Sequence, residues 1–320
     1  FANTAIYAAN RIPEIADDIV NIDNSVKWGF AWEAGIFETW DTLGFDYVCD
    51  RMEKDGLKLP AIAVTMKKAK ADAFYKKVNG KPSYFDVASK AYKPIPVSPN
   101  LLILSDLKEG GAEVKRNDDA SLIDLGDGIV CCEFHCKMNV VGPGLVEMIN
   151  EGVNAVNEGK FAGMVLGNQG EHFSAGANLM IILGFIMNND WDAVKKMITG
   201  FQGANMAMRF CRGPVVTTPH HYTFGGGIEM AQHGAKAVIA GETYGGLVEA
   251  GVGVIPAGGG TKEMLRRALS YVPDGMPEGN PYPYLLRAFT AIATAKVSTS
   301  GAELVENGLF SESDIICPNW

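Results

Sequence analysis

Segments with strand patterns and segments with helix patterns alternate along the chain after Ala120, and this alternation limits the fold more than any other feature. The predicted strands are Ser121–Asp124, Ile129–Phe134, Ala162–Gly167, Val215–Thr218 and Ala237–Ala240, and the predicted helices are Gly144–Asn157 and Gly227–Gly234. Such alternation is typical of an α/β fold that is assembled from repeated β-β-α units.

The chain upstream of this region divides into two parts by composition. Residues 1–57 are rich in Ala, Ile, Trp and acidic residues. We expect this part to be helical because isoleucines recur at helical spacing, at Ile12, Ile15, Ile19 and Ile22. Residues 58–119 contain many lysines, an Asn79–Gly80 turn between two aromatic pairs, and then several prolines. This pattern predicts a β-hairpin and an extended linker, which places the α/β domain at residues 120–320.

Length, charge and cysteine usage narrow the classes of function. The 320 residues are 47% hydrophobic with a net charge of -9, so a large core is expected and a broad nucleic-acid-binding surface is not. The longest apolar run, Leu179–Met187, is shorter than the roughly 20 residues that span a membrane. Six cysteines without a basic-then-apolar signal segment predict a reducing, cytoplasmic setting. The start at Phe1, inside a helical pattern, predicts a segment processed or excised from a longer chain.

Glycine-rich turns are the most informative motifs, and they occur at Phe173–Asn178, Phe224–Glu229, Gly246–Glu249 and Val254–Thr261. Glycine has no Cβ, so such turns bring backbone amides close to a ligand. A turn from a strand into a helix, with its N–H groups pointing outward, stabilises developing negative charge. Each turn taken alone also fits a purely structural role.

Two nucleotide-binding motifs are excluded by residue order. A Walker loop requires Lys before Ser or Thr at the start of a helix, whereas Thr261 precedes Lys262. No Gly-x-Gly-x-x-Gly opens a helix after a strand, so the chain has no dinucleotide fingerprint either.

Glu229 and Glu249 are the candidate catalytic residues. Glu229 begins a predicted helix, where it would also offset the helix dipole, and Glu249 lies in an apolar, glycine-rich segment. Two carboxylates that share a pocket are driven to act as acid and base. Either residue alone fits a structural role equally well.

Other side chains that suggest a metal or a nucleophile have simpler explanations. On a strand, Cys131 and His135 point to the face opposite Cys132 and Cys136, so the four do not converge on a metal. No Gly-x-Ser-x-Gly elbow accompanies the histidines at 220 and 221, which argues against a hydrolase triad. The apolar segment Leu179–Met187 fits either core packing or the wall of an acyl pocket.

In order along the chain, these motifs resemble the crotonase (enoyl-CoA hydratase/isomerase) superfamily from about Ala120 onward. The Phe173–Ala177 turn resembles the family's first oxyanion turn and Gly225–Glu229 its second, which implies that the amides of Ala177 and Gly226 bind a thioester oxygen. The glutamates at 229 and 249 match both hydratase positions, which favours water addition to 2-enoyl-CoA over isomerisation. The implied substrate contacts are Ala175, Gly176, Gly225, Ile182 and Phe185.

The resemblance also implies an acyl-CoA substrate, no metal or cofactor for hydration, and an assembly that is a trimer or a multiple of one. It does not divide the acid and base roles between the two glutamates. Enoyl-CoA isomerisation and non-catalytic acyl-CoA binding stay open as alternatives.

The N-terminal part resembles the end of a 3-hydroxyacyl-CoA dehydrogenase helical domain, on Arg11–Asp17 and Trp28–Asp41. This implies a fused β-oxidation enzyme whose NAD-binding half is absent from this sequence. Three positions depart from the crotonase pattern: Asn178 replaces an Asp, His221 replaces a Gly, and Ser270–Tyr284 has the character of an insertion.

Overall fold

A computed structural model describes residues 1–78, 80–96, 101–272 and 280–318. The chain forms two compact units, Phe1–Leu101 and Leu102–Trp320. The first unit contains helices α1 (Ala2–Ala9), α2 (Ile19–Phe30), α3 (Ile36–Leu43), α4 (Phe45–Lys54) and α5 (Ala61–Ala69). Its strands are β1 (Tyr75–Val78), β2 (Lys81–Asp86) and β3 (Ala91–Pro94).

Burial of large aromatic residues organises the first unit. Its fully buried aromatic side chains are Phe37, Trp40, Phe45, Phe74 and Phe85. The carboxylate of Asp23 accepts hydrogen bonds from the Phe37 amide at 2.9 Å and from the Tyr75 hydroxyl at 2.9 Å. One buried side chain thereby joins α2 to the start of α3 and to β1, and burial raises its pKa.

The helical prediction for residues 1–57 holds for α1 to α4 but fails at Ile12 and Ile15, which lie in the turn between α1 and α2. Pro13 has no N–H to donate within a helix, so the apolar spacing there does not continue α1. The Asp18 side chain then caps α2 by accepting from the Asn21 amide at 2.8 Å.

Within residues 58–119, β1 and β2 form an antiparallel hairpin, and β3 adds to β2. Asn79 of the predicted turn and Pro99 of the predicted linker lie outside the described residues. The sequence pattern did not predict α5. Helix α6 (Leu104–Glu109) and strand β4 (Glu113–Arg116) belong to the second unit because β4 pairs with β5.

The second unit is built on a seven-stranded sheet of order β12-β10-β8-β7-β6-β5-β4. Its remaining strands are β5 (Ala120–Gly126), β6 (Ile129–Phe134), β7 (Gly163–Gly167), β8 (Val215–Thr217), β10 (Lys236–Ala240) and β12 (Ile315–Cys317). Pairing is antiparallel from β4 to β6 and parallel from β6 to β12. The predicted α/β class is therefore confirmed.

Helices cover this sheet, and two very short strands, β9 (Tyr222–Phe224) and β11 (Tyr244–Gly246), pair with each other. The helices are α7 (Pro143–Asn157), α8 (Leu179–Met187), α9 (Trp191–Arg209), α10 (Gly226–Gln232), α11 (Gly260–Ser270), α12 (Tyr282–Ala293) and α13 (Gly301–Glu306). Part of the predicted insertion Ser270–Tyr284, residues 273–279, lies outside the described residues. No helix in the described ranges is long and apolar enough to cross a membrane.

Helix α7 shows how the packing is specified. Its buried residues Leu145, Met148, Ile149 and Val153 recur at helical spacing and face the sheet. Gly152 lies on the same face, where a Cβ would fall 2.5 Å from the Met164 sulfur of β7. The glycine therefore allows a close approach of helix and strand.

Candidate active site

Three short segments run side by side in the second unit and end at the same place: β9, β11 and the residues around Ser174. β9 and β11 are parallel, and Ser174 forms a parallel bridge with Thr223 of β9. Each segment leads directly into one of the predicted glycine-rich turns. The carboxyl ends of parallel segments meet at one edge, so the three turns come together.

The first turn, Phe173–Asn178, is fixed by its own polar groups. The Ser174 hydroxyl donates to the Asn139 carbonyl at 2.7 Å and accepts from the Gly176 amide at 3.1 Å. On the other side, the Val141 amide donates to the Gly176 carbonyl at 2.8 Å. The Ala177 amide lies between these bonds and has no acceptor among the described residues.

The second turn begins α10. Gly225 has φ +50° and donates to the Gly246 carbonyl at 2.9 Å, which ties the turn to β11. The Gly226 amide is the first of the helix and, within the described ranges, it also has no acceptor. This amide lies at the N-terminus of the helix, which is the positive end of the helix dipole.

The two free amides lie next to each other. A Cβ on Gly226 would fall 3.2 Å from the Ala177 nitrogen, and a Cβ on Gly176 would fall 3.4 Å from the Gly226 nitrogen. The Gly176 Cβ would also lie 2.9 Å from the Phe224 carbonyl oxygen, at φ +95°. Only glycine fits at that contact, and the result is a pair of amides able to bind one oxyanion.

Glu229 lies one turn into α10, with 3% of its surface exposed. Its Oε1 accepts from the Gly260 amide at 2.8 Å, at the start of α11. Burial raises the pKa of this carboxyl to about 7, and the charge of Glu249 adds to the rise, while the amides of the 258–260 loop oppose it.

Glu249 begins a short 3₁₀ turn, Glu249–Val252, directly after β11. Both carboxyl oxygens are shielded from solvent, and neither has a hydrogen-bond partner in the described part of the chain. Burial raises the pKa of this carboxyl to about 7 as well, and the backbone amide of Glu249 itself opposes the rise without reaching hydrogen-bond geometry. A Cβ on Gly225 would fall 3.1 Å from its Oε1, so the carboxyl lies directly against the second turn.

The structure thus brings Glu229, Glu249, Ala177 and Gly226 to one place, and their roles stay a prediction. Of the predicted substrate contacts, Ala175, Gly176 and Gly225 belong to the two turns themselves. Ile182 and Phe185 lie on α8, where both are half-buried. No residue of α8 is buried, so the core alternative for Leu179–Met187 is excluded. Asn178 caps this helix by accepting from the Ile181 amide at 3.4 Å.

Two residues that no sequence motif indicated, His233 and Asn205, contact the Glu229 backbone and the loop beside its carboxyl. His233 is buried beneath Glu229, and Asn205 of α9 donates to the Gly258 carbonyl at 2.9 Å. The triple glycine 258–260 was the only signal in the sequence, because the other contacts depend on which helices meet.

The cysteines and the histidine of the 131–136 segment lie in β6 and just beyond its end. Cys131 and Cys132 are buried in β6, where burial raises the pKa of both thiols. His135 lies beside the Ser121 hydroxyl at 3.1 Å. The described residues contain no group of three or more His, Cys, Asp or Glu arranged to hold a metal ion.

Sequence comparison finds relatives that carry dehydrogenase and hydratase names. A Bacillus subtilis (strain 168) protein named "Probable 3-hydroxyacyl-CoA dehydrogenase" is 38% identical over 318 residues, 99% of this chain and 39% of that protein. A Dictyostelium discoideum protein named "Probable enoyl-CoA hydratase, mitochondrial" is 29% identical over 43% of this chain and 48% of its own length. The chain therefore spans less than half of these curated relatives. No family model matches it.

Several solved structures that share the fold are named enoyl-CoA hydratases. The enzyme from Bacillus anthracis aligns with a TM-score of 0.51 at 22% identity, over 62% of this chain and 70% of that chain. The enzyme from Polaromonas sp. JS666 aligns with a TM-score of 0.52 at 18% identity, over the same shares. Over the aligned part, the chain therefore has the crotonase fold of these enoyl-CoA hydratases. The predicted sequence resemblance to a protein named as a 3-hydroxyacyl-CoA dehydrogenase is confirmed.

Proposed function

We propose that this chain hydrates 2-enoyl-CoA thioesters to 3-hydroxyacyl-CoA. The observation that supports this most is the pair of buried carboxyls of raised pKa, Glu229 and Glu249, beside two amides that have no acceptor of their own. Amides without acceptors, held in a rigid turn, suit an oxygen that gains charge during the reaction.

In the proposed reaction the thioester oxygen accepts from the Ala177 and Gly226 amides while the hydroxyl of water bonds to the β carbon. One carboxyl accepts the proton that water releases, and the other donates the proton that the α carbon gains. At neutral pH a pKa of about 7 keeps each carboxyl partly protonated and partly ionised. The pair therefore supplies one base and one acid without a cofactor.

Helix α8 is the proposed acyl-chain contact, through Ile182 and Phe185. It follows the first oxyanion turn directly and carries no charged residue. Both side chains are apolar and half-buried, so they suit an adaptable wall for an alkyl chain.

For the longer protein, we propose a bifunctional enzyme of fatty-acid β-oxidation that also acts as a 3-hydroxyacyl-CoA dehydrogenase. The product of the proposed hydration is a 3-hydroxyacyl-CoA, which is the substrate that such a dehydrogenase oxidises. NAD would bind outside the residues of this chain. We also propose a cytoplasmic location and an assembly that is a trimer or a multiple of a trimer.

Product analysis with two substrates tests the proposal. A 2-enoyl-CoA should give 3-hydroxyacyl-CoA, and a 3-enoyl-CoA should give far less product of any kind. Conversion of the 3-enoyl substrate to the 2-enoyl compound without hydration would indicate an isomerase instead. Binding of both without turnover would indicate a non-catalytic acyl-CoA module.

A further inference from the structure

His233 occupies a position that the proposed chemistry has not used. It follows the last residue of α10 and has no exposed surface. Its own backbone amide donates to the Met230 carbonyl at 3.0 Å, so the Glu229 carbonyl lacks the usual helical donor. The His233 ring supplies that donor, since Nδ1 lies 2.5 Å from the Glu229 carbonyl oxygen.

The protonation of the ring follows from its two partners. A carbonyl only accepts, so Nδ1 must carry the proton, and the Lys262 ammonium, 2.9 Å from Nε2, only donates. His233 is therefore the neutral Nδ1–H tautomer. Burial, together with the Lys262 charge, lowers the pKa of the ring to about 4, which agrees with a neutral ring at neutral pH.

Lys262 is itself held in place by a buried carboxylate. Its Nζ lies 3.1 Å from Oε1 of Glu263, which is 1% exposed. Arg209 and Arg266 bind the other oxygen of that carboxylate at 2.7 and 3.0 Å. A continuous chain of contacts thus runs from this ion cluster through the imidazole to the backbone of Glu229.

The same ring supports the loop on the other side of Glu229. Gly259 packs on the imidazole so closely that a Cβ would fall 2.7 Å from Cε1, at φ +129°. The neighbouring Gly260 amide donates to the Glu229 carboxylate at 2.8 Å. His233 therefore contacts both the backbone that carries the carboxyl and the loop that orients it.

We propose that His233 is a positioning residue that fixes the Glu229 carboxyl, by binding its main-chain carbonyl and by supporting Gly259. The kinetic consequence rests on the proposed hydration, whereas the structural consequence does not. His233 has no exposed surface with which to contact substrate, so its loss should lower kcat and leave KM nearly unchanged.

The first readout is kinetic. His233→Leu keeps the side-chain volume but has no donor, and it should lower kcat by about 10- to 100-fold with little change in KM. His233→Asn keeps an N–H near the Nδ1 position and should recover most of that loss. Gln232→Met is the matched control: the Gln232 side chain is buried in the same helix, and its Nε2 bonds to the Leu309 carbonyl at 2.9 Å. It should lower the melting temperature without changing kcat.

The second readout is independent of turnover: a carbon-13 NMR titration of the Glu229 carboxyl, assigned with Glu229→Gln. Without the hydrogen bond from the ring to the Glu229 carbonyl, the carboxylate is less well aligned with the loop amides. His233→Leu should therefore raise the pKa of the Glu229 carboxyl further, while Gln232→Met should not. A folded His233→Leu protein with unchanged kcat and unchanged Glu229 titration overturns the proposal.

These experiments distinguish a failure of the proposed function from a failure of the proposal for His233. If the wild-type protein does not hydrate enoyl-CoA, the proposed function fails, and the NMR titration alone decides the role of His233. If His233→Leu does not fold, His233→Ala removes the ring and its donor together without adding bulk. An unchanged Glu229 titration in that variant overturns the proposal as well.

Discussion

Glu229 and Glu249 have carboxyls whose pKa is raised to the same value of about 7, but their surroundings differ. Glu229 is held by the Gly260 amide, by a loop of three glycines and by a buried imidazole. Glu249 is shielded from solvent with both oxygens unpartnered in the described residues. An unpartnered buried carboxyl is costly, and such groups persist at sites where substrate or water completes them. One carboxyl is thus positioned by other groups of the protein, and the other has no protein partner among the described residues, which leaves it open to the proposed substrate.

The largest expected effect comes from removing either carboxyl. Glu229→Gln and Glu249→Gln should each lower the hydration kcat by about 10² to 10⁴, because each removes one proton-transfer group. Both variants should keep the fold and CoA binding, as measured by thermal melting and calorimetric titration. The exposed Glu242→Gln is the control. Wild-type turnover in either variant would remove that glutamate from the mechanism.

The oxyanion turns provide the next effect. Gly176→Ala places a Cβ 2.9 Å from the Phe224 carbonyl oxygen at φ +95°, so the two turns must separate. We expect a loss of about 10² to 10³ in kcat/KM, comparable to the loss of one oxyanion donor. Gly203→Ala on α9, where nothing lies within 4 Å of the added Cβ, should have no kinetic effect. Equal rates for both variants would show that the two amides do not bind the reacting oxygen.

The unpartnered state of Glu249 predicts an effect on stability with a definite sign. Its pKa is about 7 in the folded protein, against an ordinary value of 4.5, so the folded state binds more protons between these values. The wild-type free energy of unfolding should therefore fall as the pH rises from 4.5 through 7. Glu249→Gln has no charge to bury, and should be more stable than wild type by about 1 to 3 kcal/mol at pH 8.

The control for this stability prediction is the same comparison near pH 4, where the two proteins should unfold alike. Denaturant unfolding at both pH values measures the difference. A Glu249→Gln protein that is less stable than wild type at pH 8 would show that the carboxylate has a partner in solution.

The smallest effect concerns α8. Phe185→Ala vacates volume on the proposed acyl wall, so the preferred acyl chain should lengthen, with each added buried methylene contributing up to about 0.8 kcal/mol to transition-state binding. Phe185 is only half-buried, so the melting temperature should change little. Leu183→Ala, on the exposed side of the same helix, should leave the length profile of kcat/KM unchanged. Equal profiles for the three proteins would leave the acyl site unassigned.

The sequence was sufficient for part of the second unit, where local patterns specify the elements, but it did not predict α6, α9, α11 to α13, β4 or β12. Apolar runs and glycines mark β5 to β8, α7, α10 and β10 to within a few residues. The helical prediction failed at Ile12 and Ile15 for the same reason: it followed the spacing of the apolar residues, although Pro13 disfavours a helix there. The isolated strands β9 and β11 are too short to show a period, although they align the two turns with Glu249.

The environment of the two carboxyls could not be predicted in the same way. The contacts of His233 join the end of α10 to Lys262 on α11. Glu263, also on α11, forms an ion pair with Arg209 of α9. Such contacts depend on how three helices pack, which no local pattern contains. The free oxygens of Glu249 are likewise visible only once the surrounding turns are in place.

The most direct test of the account is the hydration of crotonyl-CoA in water enriched in oxygen-18, with mass analysis of the product. The account predicts 3-hydroxybutyryl-CoA that carries one heavy oxygen at its hydroxyl, formed rapidly by the wild type and scarcely by Glu229→Gln or Glu249→Gln. A folded wild-type protein that binds crotonyl-CoA and forms no labelled product would contradict it.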